Sequence, residues 1–111
     1  MLHAQHAILG RHPSLKYWLS LKENDLVMQT DNLCWTYSMF TGFLDPLIVG
    51  ATAVIYKPSH ATSLAENAVK GETWLQLIEH YKVTVMASTP DIYNTMQFVI
   101  SHLMIRRKQI Y

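Results

Sequence analysis

Three short runs of the chain are apolar at nearly every position: DLVMQT (Asp25–Thr30), TAVIY (Thr52–Tyr56) and VTVMAS (Val83–Ser88). A strand with one wet face alternates apolar and polar residues, whereas strands covered on both faces, as in a parallel sheet, do not. The segments between these runs are long enough for the helical crossovers that parallel neighbours require.

Those segments also carry helical signals. A first helix is predicted over roughly His3 to Leu21, interrupted at Pro13, which removes an N–H and disfavours helix at His12. Tyr17, Trp18 and Leu21 would form its buried face. Trp35–Val49 is apolar nearly all round, as a helix buried on most sides would be. Pro46 is placed to kink it, and Gly50 suits its C-terminal cap. Trp74, Ile78 and Tyr81 mark a stripe on a third helix, with Gly71 and Thr73 punctuating its start. The polar, small-residue stretch Lys57–Glu72 before it reads as a loop with room for a short helical turn. Pro90 opens a fourth helix, with Asp91 in its favourable first turn and Ile92, Tyr93, Met96, Val99 and Ile100 at helical spacing. The order α-β-α-β-α-β-α describes an α/β fold, a three-stranded parallel sheet with right-handed crossover helices.

From Asn32 to Tyr56 the only formal charge is Asp45, so CWTYSMFTGFLDPLIVGA raises the question of a membrane span. A span needs roughly 20 predominantly apolar residues. Asp45 near the middle would cost about 2.5–3.5 kcal/mol on insertion scales. Thr36, Ser38, Thr41, Gly42, Pro46 and Gly50 dilute the run further. A buried helix meeting a turn near Gly50 explains it better, with Phe43–Val49 as core, and no membrane association is expected.

Composition narrows the function classes. The chain has 111 residues, half of them apolar, and a net charge of +1. That is one domain's length, and the charge gives no reason to expect nucleic acid. RRK at 106–108 reads as solvated surface. A single cysteine excludes an internal disulfide and fits a reducing, cytoplasmic setting. MLHAQHAILG lacks the basic-then-apolar order of a secretory signal.

No constellation carries chemistry unaided. His3 and His6 could share a helix face, but no further ligand stands at a metal-binding spacing. Cys34 lies between Leu33 and Trp35, a setting that makes a thiol inert. Asp31 and Asp45 are explained as a β-to-α turn and a Pro-preceding turn rather than as an acid/base pair. The glycines at 10, 42, 50 and 71 are scattered, so neither the dinucleotide nor the Walker pattern can be written. No catalytic residue and no metal ligand is assigned.

The order of segments nevertheless resembles a section of the adenylate-forming (AMP-binding) acyl-CoA synthetases, the acid–thiol ligases. WTYSMFTGFLDPLIVGATAVIY (Trp35–Tyr56) is similar to their aromatic-plus-glycine helix and its PL-x-x-GAT turn into a strand. WLQLIEHYKVTVMASTPDIYNTM (Trp74–Met96) is similar to their W-x-x-IE-x-x-x-VT helix and strand with a Pro-containing turn. LHAQHAILGR (Leu2–Arg11) resembles the helix after their phosphate-binding loop. The short-chain, acetyl- or propionyl-CoA synthetase-like branch is the nearest.

The resemblance implies a partial piece of that family's larger N-terminal domain over residues 1–96, with 97–111 as a divergent tail. It implies a parent enzyme that joins a short-chain carboxylic acid, ATP and coenzyme A into acyl-CoA, AMP and pyrophosphate, with Mg²⁺ present. Trp35, Thr36 and Tyr37 would line the acyl pocket. Ser38 stands with them, where many relatives have Gly. Thr89 and Pro90 would form the ligand-side turn at a strand end. The phosphate loop would precede Met1, and the adenine motif and catalytic lysine would follow Met96. These 111 residues are therefore expected to hold no nucleotide or coenzyme tightly and to be catalytically silent alone, with self-association through exposed strand edges. An independent small α/β interaction or ligand-binding module is the alternative from another class.

Overall fold

The computed structural model describes residues 4–31, 33–56 and 66–108. They fall into two compact units, one running up to Ile55 and including Val83–Ala87, the other comprising Tyr56–Lys82 and the residues from Ser88 onward. His3, most of the polar stretch before the third helix (residues 57–65) and the last three residues lie outside the described residues.

The first unit is built on three parallel strands, β1 (Leu26–Gln29), β2 (Thr52–Val54) and β3 (Val85–Ala87), in the order β2-β1-β3. Val27 pairs with Ala53 on one side and Val85 on the other, and Gln29 stands opposite Ala87. All three apolar runs therefore form strands, shorter than their sequence signals. The middle one is the most fully covered: Val27, Met28 and Gln29 are buried, whereas Thr52 of β2 is exposed and Val85 and Met86 of β3 are half-buried. Position in the sheet, not composition, makes that difference, because β2 and β3 each have one side without a strand neighbour among the described residues. At the entry to the sheet, Asp25 accepts hydrogen bonds from the Lys22 N–H at 2.7 Å and the Thr84 hydroxyl at 2.8 Å. The backbone bond first, then the hydroxyl, hold its carboxyl below the usual range. The same hydroxyl accepts the Leu26 N–H, so β1 and β3 begin in a fixed register.

Between β1 and β2 one continuous helical stretch comprises α1 (Thr36–Met39), a π-helical turn (Phe40–Leu44) and α2 (Asp45–Val49). Gly50 ends it in the left-handed region at φ 82°, as its sequence position suggests. The face turned inward is not the expected one. Ser38, Thr41, Gly42, Asp45 and Pro46 are buried, whereas Phe43, Leu47 and Ile48 are exposed, so Phe43–Val49 is not apolar core. Close packing decides this. A Cβ on Gly42 would stand 2.5 Å from the Gln29 Cβ, so only small side chains let the helix lie this near the strand.

The first predicted helix is also corrected. It is a 3₁₀ turn (Gln5–Arg11) followed by a π turn (Ser14–Trp18), because Pro13 cannot continue an α-helical ladder. Its buried residue is Leu15; Tyr17 and Trp18 are exposed and Leu21 only half-buried.

The second unit is a pair of helices, α3 (Glu66–Tyr81) and α4 (Pro90–Lys108). α3 begins at least five residues before Gly71, so that glycine lies inside the helix instead of marking its start. Glu66, Ala68 and Lys70 are good helix formers, which outweighs the loop-like look of the stretch. Gly71 is tolerated because α4 comes so close there: a Cβ would meet Thr95 Cγ2 at 2.8 Å and the Thr95 backbone at 3.1 Å. Trp74 and Met96 are the buried anchors of the pair, and Tyr56 meets the Trp74 ring edge-on at 5.3 Å. Tyr81, Tyr93 and Ile100 are exposed instead of core. α4 continues without a break through residue 96.

Candidate functional site

The residues expected to line an acyl pocket form one turn at the start of the β1–β2 crossover. β1 ends at Gln29, and the chain passes Thr30 and Asp31 before helix begins at Thr36. Trp35 is still extended (φ −85°, ψ 130°), and its carbonyl accepts the Met39 N–H at 2.9 Å. Trp35 and Thr36 are exposed, Tyr37 is half-buried and Ser38 is fully buried. The Tyr37 ring lies 5.8 Å from that of Trp35 and 6.0 Å from that of Trp18, both tilted. Three aromatic rings therefore sit together, two with more than half their surface in solvent. Such pairs add about 0.5–1.5 kcal/mol each beyond burial.

Beneath the rings the contacts are polar. Gln29 Nε2 donates to Ser38 Oγ at 3.1 Å, and Gln29 Oε1 accepts the Thr30 N–H at 2.8 Å. The Thr41 hydroxyl donates to the Tyr37 carbonyl at 2.8 Å. Farther along, Arg11 grips Asp45 with both arms of its fork, Nε to Oδ1 at 3.1 Å and Nη2 to Oδ2 at 2.5 Å. The same guanidinium stands 5.2 Å from the centre of the Phe40 ring. The hydrogen bond to Asp45 raises the Arg11 pKa above its ordinary value, against the opposing effect of burial. Asp45 is thus an anchor within the helix, not a turn residue.

Asp31 lies beyond the end of β1 with one carboxylate oxygen, Oδ2, buried and unpartnered. Removal from water raises its pKa above the usual carboxylate value. Thr89 and Pro90 belong to the second unit, where the Thr89 carbonyl accepts the Tyr93 N–H at 3.2 Å and Pro90 opens α4. Cys34 is exposed rather than enclosed in apolar surroundings. His6 is exposed, and no group of three His, Cys, Asp or Glu converges among the described residues. No helix among them is long and apolar enough to cross a membrane.

The glycines serve local packing and capping. Gly42 and Gly71 are committed to close packing, Gly50 caps a helix, and Gly10 stands alone in open space. None offers the run of free backbone N–H groups that cradles a nucleotide's phosphates. None of the described residues is assigned to ATP or its metal, and no step is written through them. Arg11 and Gln29 are the site's supports that sequence reading missed. A Gln inside an otherwise apolar strand was the available signal for one; Arg11 had none, because its partner is distant in sequence.

A family model described as "AMP-binding enzyme" matches residues 2–109. Among curated proteins, an uncharacterized acyl-CoA ligase of Bacillus subtilis (strain 168), YtcI, is 32% identical over 79 residues. The aligned part is 71% of this chain and 13% of that relative, so the chain spans only a small share of the ligase's length. No solved structure matches. The three-stranded parallel sheet with its helical crossovers agrees with a partial N-terminal domain of such an enzyme. The chain belongs to the AMP-binding enzyme family.

Proposed function

We propose that the chain is a section of an AMP-forming acyl-CoA synthetase and that it carries part of the wall facing the carboxylic acid. The observation that supports this most is the ring cluster of Trp18, Trp35 and Tyr37, exposed in part, two of its rings carried by the turn that follows the central strand and is tied through Ser38 to that strand's last residue, Gln29. Open α/β sheets gather ligands at the carboxyl end of their strands. Trp35, Thr36 and Tyr37 present apolar surface with hydroxyls beside it, which suits a short acid with a small alkyl group. Ser38 belongs to the same turn but takes part from below. In the parent enzyme, Thr89 and Pro90 supply a further turn, and ATP, Mg²⁺ and coenzyme A act through segments other than these. The acid is short, of the acetate or propionate kind, and the setting is cytoplasmic, where the exposed Cys34 stays reduced.

Titration of the chain with propionate, followed by NMR at the indole N–H groups, tests this reading. The expected result is a weak, saturable shift at Trp35 with none at Trp74 in the other unit. Shifts absent at Trp35, or equal at all three indoles, contradict it.

A further inference from the structure

A buried side-chain hydrogen bond, Gln29 to Ser38, ties the crossover helix to the central strand. Gln29 is 6% exposed and Ser38 is wholly buried. The orientation of the amide follows from its neighbours. Its oxygen faces a backbone donor, the Thr30 N–H, so its nitrogen must face the Ser38 hydroxyl. Gly42 closes over the same side chain, with room for no Cβ against Gln29. An apolar residue of this size would fill the space without burying an amide. A satisfied hydrogen bond returns only about 1 kcal/mol net, so packing alone gives no reason for glutamine here.

Position gives one. Ser38 directly follows Tyr37, and Tyr37 carries the ring contacts to Trp35 and Trp18. We propose that Gln29, acting through Ser38, is a positioning residue that sets where the Trp35–Tyr37 turn stands above the end of β1. The relevance to substrate rests on the reading that this turn faces the carboxylic acid; the positioning itself does not.

The test uses the whole chain and four variants, Gln29→Met, Ser38→Ala, the two combined and Gln29→Glu, with ring resonances of Trp18, Trp35 and Tyr37 followed by NMR. Gln29→Met and Ser38→Ala should displace the same Tyr37 and Trp35 resonances, leave Trp74 in place, and show no further displacement when combined. Gln29→Glu should restore the original positions, since in either protonation state it can bond both the Thr30 N–H and the Ser38 hydroxyl. Rings that stay put while only the melting temperature falls would overturn the proposal. So would additive displacements, or a Glu variant that behaves like Met. If Gln29→Met does not fold, Ser38→Ala should still displace the Tyr37 and Trp35 resonances and Gln29→Glu leave them in place; rings unmoved in Ser38→Ala, or moved in Gln29→Glu, would then overturn the proposal.

Propionate affinity supplies the second arm. Several-fold weaker binding in the displaced variants extends the positioning role to the substrate, and unchanged binding despite moved rings overturns that extension. If the original chain does not respond to propionate, the acyl-wall reading fails while the ring test still stands.

Discussion

Asp45 is the only formal charge between Asn32 and Tyr56, and its partner Arg11 is 34 positions away. No local pattern reveals such a pair, which is why Asp45 reads in sequence as a turn residue before proline. Removing one partner of a buried ion pair leaves the other unpaired, at a cost of about 3–5 kcal/mol when both are buried. Arg11 keeps some contact with water, so Asp45→Ala should cost less, about 2–3 kcal/mol, measured by urea unfolding. Asp45→Asn should recover little of it, because one of the two fork contacts is lost.

Asp31 works in the opposite sense. Its folded-state pKa is raised by desolvation, so the folded chain holds the proton more tightly than the unfolded one. Stability therefore falls as pH rises from the unfolded carboxylate value, about 3.9, through the folded one. Asp31→Asn should raise stability at pH 7 only slightly, by roughly a few tenths of a kcal/mol, because much of the carboxyl still meets water, which screens the effect. The gain should vanish below about pH 4. Chemical unfolding at the two pH values checks it; an equal gain at both would assign the effect to something other than charge.

Among the elements, strands were the readable part. Uninterrupted apolar runs identified all three, because β-propensity is carried locally, and the helical signals between them pointed to parallel neighbours. Helix faces were not readable. The crossover was expected to bury its large apolar residues, yet the close approach of Gln29 to Gly42 turns its small and polar face inward. Gly71 shows the same physics in the other unit. Sequence alone makes it a helix boundary, whereas the contact with Thr95 makes it a helix-interior spacer. Gly71→Ala should therefore destabilise by about 1–3 kcal/mol through overpacking, although alanine is the better helix former by about 1 kcal/mol. Thr95→Ser in the same chain should recover part of the loss, since it removes the nearest methyl and leaves the 3.1 Å backbone contacts. A thermal scan of the two variants separates steric cost from propensity.

For the whole molecule, family membership was readable because it rests on ordered segments, not on contacts. Of the proposed acyl wall, sequence offered only a set of neighbours: Trp35, Thr36 and Tyr37 form one turn, but the contacts of Gln29 and Arg11 beneath that helical stretch needed three dimensions. The chain aligns to 13% of the length of its acyl-CoA ligase relative, and it exposes Phe43, Leu47, Phe98, Leu103 and Met104. Exposed apolar residues and a sheet whose two outer strands lack a further strand neighbour among the described residues favour association. Sedimentation should show average mass rising with concentration; a monomer throughout a hundredfold range would argue for an independent module. The central claim is that this section supplies acyl-side wall without the groups that handle phosphate. ATP–pyrophosphate exchange by the 111-residue chain, with Mg²⁺ and acetate or propionate, tests it most directly. We predict no exchange above background, and measurable acid-dependent exchange would contradict the account.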